Sequence, residues 1–234
     1  MKLELKNQNS ITQNTKERIL ESAKILLASK GPEGVTVRDI AENSNANVAS
    51  INYHFGSKDG LINEALLAIL GPTNIARKEM ILQAKKQYGS TPLPLPVILD
   101  VMIRPLVKSE KGTDQSRLFI RVEHYLQTNP LSPYAMFVYE NFHQYAKLII
   151  DELKRTLPHL SIGEIAWRYE FARGALLHLL SNIEPGPTRL KMLNPDITWI
   201  NLENQEAIIQ TIASNILGGI GAPTTGINLA AEHD

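Results

Sequence analysis

The chain has 234 residues, with 24 Lys and Arg balanced by 24 Asp and Glu, and no Cys; 43% of it is apolar and 21% charged. That length allows one large or two modest domains of ordinary globular composition. The absence of cysteine excludes disulfides, thiolate metal sites and cysteine nucleophiles, and zero net charge means that any affinity for nucleic acid must come from a local patch.

Apolar spacing is helical almost throughout and no period-2 strand is evident, which predicts an all-α fold. Residues 1–14 are polar, without the apolar segment of a secretory signal, and read as a flexible arm. A first helix is expected from Thr15, as cap, to Lys30, with Ile19, Ala23, Leu26 and Leu27 on one face and Gly31-Pro32 as its stop. A second starts at Thr36, which can form a capping box with Asp39, and ends near Asn43. Asn45 suits a left-handed turn and Asn47 can cap a third helix over 48–54. A fourth begins after Ser57. Pro72 has no N–H and should break or kink it, with periodicity resuming to about 87. Beyond a proline-rich loop, Gly89–Pro96, five more helices are expected at 95–108, 114–128, 133–156, 162–182 and 203–218. Ser132 and Ser161 are candidate caps, 183–202 an irregular connection, and 221–234 a flexible tail. The domains are thus 15–60, a three-helix unit with a helix-turn-helix, and 61–220, a helical bundle.

The segment 44–58 carries the clearest chemistry. Ile51 and Phe55 lie one turn apart and face inward, leaving Ala49, Ser50, Asn52 and Tyr53 outward with Val48 at the boundary. Small side chains let a helix approach base edges; Val48 and Ala49 can meet thymine methyls, and Asn52 can pair with adenine or bind phosphate. Tyr53, His54 and Lys58 suit phosphate oxygens, and Thr36 and Arg38, beside the free N–H groups of a helix start, suit the opposite backbone. The same spacing also fits a plain three-helix core in which Tyr53 and Phe55 merely pack. Spacing alone leaves both readings open.

Elsewhere the patterns are weaker. Glu140-Asn-Phe-His143 has the Glu-x-x-His spacing of di-iron bundles, but such sites need two copies and the chain has one. No complete catalytic set, nucleophile elbow or phosphate loop is present, so the chain is not expected to be an enzyme or to need a cofactor or metal. No apolar run reaches the ~18 residues of a membrane span, and a cytoplasmic location is expected.

The run Thr15–Leu61 resembles the N-terminal domain of TetR/AcrR-family transcriptional regulators. The carriers are Lys16-Glu-Arg-Ile-Leu20, Gly31, Thr36-Val-Arg-Asp-Ile-Ala41 and Tyr53-His-Phe-Gly-Ser-Lys-Asp-Gly-Leu61. The sequence departs at Asn45, usually glycine, at Asn47, usually serine, and at Asn52, where an aromatic is common. A looser resemblance, to a subgroup that includes fatty-acid-responsive repressors, rests on Gly71-Pro-Thr-Asn-Ile-Ala-Arg77, Arg104-Pro-Leu, Leu157-Pro-His-Leu, Trp167-Arg168 and Gly174-Ala-Leu-Leu-His178.

This resemblance implies a homodimeric regulator that binds double-stranded operator DNA and is released by a small, hydrophobic effector. Ligand-independent DNA binding, or an α-helical enzyme, are the alternatives. It further implies a cavity in the second domain, for which Met102, Phe119, Arg121, His124, Met136, Tyr139 and Trp167 are candidate lining, and a two-fold seam built from 162–182 and the stripe Ile208, Ile209, Ile212 and Ile216.

Overall fold

The computed structural model describes the backbone of residues 2–107, 113–181, 192, 194–196 and 204–223. Among these the chain forms helices only: α1 (Lys2–Gly34), α2 (Val37–Ser44), α3 (Val48–Phe55), α4 (Lys58–Tyr88), α5 (Leu95–Val107), α6 (Thr113–Thr128), α7 (Pro133–Thr156), α8 (Ile162–Ser181) and α9 (Gln205–Ile220). The expected connection 183–202 falls largely outside the described residues, as does the tail beyond 223.

One boundary differs from expectation. Helix α1 is helical from Lys2, so residues 2–14 are not an irregular arm and Thr15 is not a cap. No glycine or proline interrupts residues 2–30, so nothing local forces a start at Thr15. Its end is as expected: Gly31 leaves the helix at φ 73°, ψ 163°, and a single turn follows through Pro32. Helix α4 runs from Lys58 to Tyr88 with Pro72 inside it, in agreement with the expected continuation to about 87.

The chain divides into two compact units, 1–72 with 117–141, and 73–116 with 142–234. In the first, α1 and α2 pack together and α3 closes the core over Ile19, Ala23, Leu27, Ile40 and Ile51. Ser22, buried on α1, donates to the Asn43 side chain at 2.9 Å and so ties α1 to the end of α2. Two tyrosines join this unit from far along the sequence. The Tyr125 hydroxyl donates to the Glu33 carboxylate in a short bond, and the Tyr134 hydroxyl donates to Asp59 at 2.7 Å.

In the second unit, α9 packs on α5 and α8, burying Ile208, Ile209, Ile212, Ile216 and Ile220. Arg104 pairs with Asp100 within α5 and joins α5 to α9 through Glu206, both at 2.6 Å, and Arg168 of α8 donates to the carbonyls of Ile220 and Ala222 at the end of α9. Glu152 is buried and is neutralised by Lys85 at 2.6 Å and Arg155 at 2.9 Å.

These placements correct the expected seam. The isoleucine stripe of α9 is intramolecular core, because α5 supplies an apolar face for it within the same unit. On α8, by contrast, two large apolar residues are exposed: Trp167 and Phe171, 71% and 59% exposed, share a face with Gly163 and Gly174. The adjoining outward face of α9 is small and polar, formed by Thr211, Ser214 and Gly218. Phe171 lies over Gly219, where an added Cβ would come within 2.8 Å of the ring.

Candidate nucleic-acid interface

Local hydrogen bonds fix the helix-turn-helix. Thr36 caps α2 by accepting from the N–H of Asp39 at 3.1 Å, while the Asp39 carboxylate accepts from the N–H of Thr36 at 2.9 Å, a complete capping box. Lys30 also donates to Asp39 at 2.9 Å. The Lys30 ammonium, and then the Thr36 donors, hold the Asp39 carboxyl down to about 2. Asn45 ends α2 at φ 48°, ψ 47°, the left-handed conformation expected of it, and its N–H reaches back to the carbonyls of Ala41 and Glu42. Asn47 then caps α3, its Oδ1 accepting from the N–H of Ser50 at 2.7 Å. The turn and both caps thus follow from side chains within a few residues of each other.

Helix α3 buries Ile51 and turns its other faces out. Val48, Ala49, Asn52 and Tyr53 are exposed, Tyr53 by 80%, while Ser50 and His54 are half-buried. Tyr53 and His54 meet edge to face at 5.1 Å, as do His54 and Phe55 at 6.2 Å, an aromatic run that stiffens the exit from α3. Lys16 of α1 holds Phe55 from above, its ammonium 5.3 Å from the ring centroid, while pairing with Glu64 at 2.8 Å.

Gly56 then takes φ 74°, and Ser57 caps α4 by accepting from the N–H of Gly60 at 3.0 Å. This puts Lys58, half-buried, in the first turn of α4. Gly60 has a role that spacing did not reveal: a Cβ there would fall 2.3 Å from the Phe55 carbonyl oxygen, so the tight exit from α3 needs glycine. Thr36 and Arg38 are exposed at the start of α2. All nine expected DNA-contacting residues are therefore at least partly accessible, and all lie within 36–58 of one unit.

The expected ligand-lining residues behave differently. Met102 and Phe119 are buried, whereas Arg121 and His124 are exposed and Met136, Tyr139 and Trp167 are 48%, 64% and 71% exposed. The reason is helical phase. On α6, Phe119, Ile120, Val122 and Leu126 turn inward, so Arg121 and His124 take the other face; on α8, Ile165, Tyr169, Ala172 and Leu176 turn inward, so Trp167 takes the outer one. Five of the seven candidates are therefore not placed as the lining of an enclosed cavity. Among the described residues no group of three His, Asp or Glu is arranged to hold a metal ion, and no helix is long and apolar enough to cross a membrane.

Comparison with known proteins agrees with this architecture. Residues 19–65 match the family model "Bacterial regulatory proteins, tetR family", and residues 100–193 match "Tetracyclin repressor-like, C-terminal domain". The probable HTH-type transcriptional regulator YttP of Bacillus subtilis is 47% identical over 49 residues, 21% of this chain and 24% of that relative. The match thus spans about a quarter of the curated relative's length. Among solved structures, the ketosteroid transcriptional regulator KstR2 of Mycobacterium tuberculosis is similar at a TM-score of 0.59 and 19% identity, covering 87% of this chain and 93% of that one. The TetR-family regulator PfmR of Thermus thermophilus is similar at 0.54 and 18%, covering 86% and 97%. The two family models, in chain order on a reader domain and a helical bundle, show that this chain belongs to the TetR family of regulators.

Proposed function

We propose that the chain is a homodimeric, DNA-binding repressor of transcription that a small hydrophobic molecule releases from its operator. The observation that carries this reading is the outward face of α3: small, uncharged side chains on a helix capped by Asn47, flanked by Tyr53, His54, Lys58, Thr36 and Arg38 as donors to phosphate. Thr36, Arg38, Tyr53, His54 and Lys58 position the protein on the backbone; Val48, Ala49, Ser50 and Asn52 face the bases. Two copies bind successive major-groove turns about 34 Å apart.

Dimerisation uses the exposed α8 face with Trp167 and Phe171, next to the small-residue face of α9. The looser resemblance to a subgroup that includes fatty-acid-responsive repressors, carried by Arg104-Pro-Leu and Gly174-Ala-Leu-Leu-His178 among others, supports an apolar effector. The effector acts by binding one arrangement of the helices better than another, with a coupling on the order of 1–3 kcal/mol. The protein works in the cytoplasm and performs no catalysis.

A gel shift with the DNA upstream of the chain's own coding sequence tests this directly. Retardation that fatty acids or aromatic compounds relieve is the expected result. Retardation that no ligand relieves would favour ligand-independent binding, and no retardation of any duplex would overturn the reading.

A further inference from the structure

The side chains that α3 offers are chemically one-sided. In the major groove, guanine presents two acceptors, O6 and N7, and is read by a two-donor group such as arginine or lysine; cytosine presents an N4 donor and is read by a carboxylate. Helix α3 has no Arg, Lys, Gln, Asp or Glu at any position from Val48 to Phe55. Its exposed face offers the methyl groups of Val48 and Ala49, the amide of Asn52 and the phenol of Tyr53. Methyl groups complement the thymine C5-methyl, and a carboxamide, one acceptor beside one donor, complements adenine N6 and N7. Ser50 is half-buried and its single hydroxyl discriminates little between bases.

Spacing adds a second constraint. Val48 and Asn52 are four residues apart on one face, a rise of roughly 6 Å. That is about two base-pair steps at ~3.4 Å each. The methyl groups and the amide therefore address neighbouring pairs of one short tract. The guanidinium nearest in sequence, Arg38, stands on α2, outside α3.

We propose that each operator half-site presents a short A·T tract to α3, in which Val48 and Ala49 select thymine by its methyl group and Asn52 selects adenine. This rests on the DNA-binding reading above and makes these three residues its specificity determinants. The tract belongs to the base edges beneath α3; flanking pairs are outside the proposal.

Selection of duplexes from a random pool by the full-length protein tests it. The expected outcome is a two-fold symmetric site with a short A·T tract, spanning about two base-pair steps, in each half. Asn52→Ala, at an exposed position that leaves the helical circular-dichroism signal intact, should erase the preference at one adenine per half-site, and Asn52→Arg should turn that position toward guanine. Deoxyuridine in place of the selected thymine should weaken binding several-fold in the wild type and have no effect in Val48→Gly with Ala49→Gly. G·C pairs at the positions that Asn52→Ala relaxes would overturn the proposal and leave DNA binding standing, as would a selected site indifferent to Asn52→Ala and Asn52→Arg. No enriched symmetric sequence at all would overturn the DNA-binding reading itself.

Discussion

Gly31→Ala should destabilise the first unit through two separable effects. Gly31 sits at φ 73°, ψ 163°, a region that is essentially glycine-only and costs another residue about 1–3 kcal/mol. A Cβ there would also fall 2.3 Å from the ring of Tyr125. The ring has two ways to respond. It can stay and overpack, at about 1–3 kcal/mol. It can instead rotate away and give up its bond to Glu33, at about 1 kcal/mol for a half-exposed pair. The cheaper route decides, so the steric contribution should be about 1 kcal/mol and the total about 2–4 kcal/mol. At about 2–4 °C per kcal/mol for a chain of this size, the melting temperature should fall by roughly 4–16 °C. Urea unfolding followed by circular dichroism gives the same quantity from the midpoint, provided the slope is unchanged. In a Tyr125→Ala background only the backbone cost remains, so Gly31→Ala should then cost about 1–3 kcal/mol, a coupling of about 1 kcal/mol. A Gly31→Ala variant as stable as the wild type would refute the conformational argument, and an equal cost in both backgrounds would refute the steric one.

Lys58→Ala should weaken binding about equally on all sequences and flatten the dependence of log K on log salt by about 0.9 for each half-site; a loss confined to the best operator would contradict a phosphate role. The Asp39 carboxyl should titrate near 2 by NMR, against an ordinary value of 3.8, and Lys30→Ala should raise it. Because the folded value is the lower one, the α2 cap contributes stability above pH ~4 and loses it as pH falls through about 2; a titration near 4 would show that the Lys30 contact does not form. Trp167→Glu should yield a folded monomer by sedimentation, whereas Ile212→Asp should unfold the second unit by burying an unpaired charge; a folded, monomeric Ile212→Asp would return the seam to α9.

What was legible in the sequence was mostly local. Thr36 with Asp39, Asn45, Asn47 and Ser57 act through bonds spanning three or four residues, and each forms as expected. Ser132 and Ser161 likewise accept from the N–H groups of Ala135 and Glu164. The misreadings came where a choice depends on distant partners. An apolar stripe such as Ile208-Ile209-Ile212-Ile216 states that a face is buried, never whether α5 or a second copy covers it. Helix α8 is apolar on both sides, with Tyr169 and Leu176 on one and Trp167 and Phe171 on the other, so periodicity alone could not assign its faces. The Tyr125–Glu33 and Tyr134–Asp59 bonds span 92 and 75 residues and leave no sequence signal.

Those two tyrosine bonds bear on how far the reader can be treated as a module. Glu33 lies just past the end of α1 proper and Asp59 at the start of α4, so the bonds grip the polypeptide on both sides of the helix-turn-helix. A fragment cut at the family boundary near residue 65 would keep every residue proposed to face DNA and lose both hydroxyls. Gly31, shaped to the Tyr125 ring, would then border an empty space. A chimaera that transplants this reader onto another helical body must therefore bring 117–141 with it, or supply two aromatic donors of its own at the same heights. The unit of exchange is set by where the chain returns, not by where its reading helix ends.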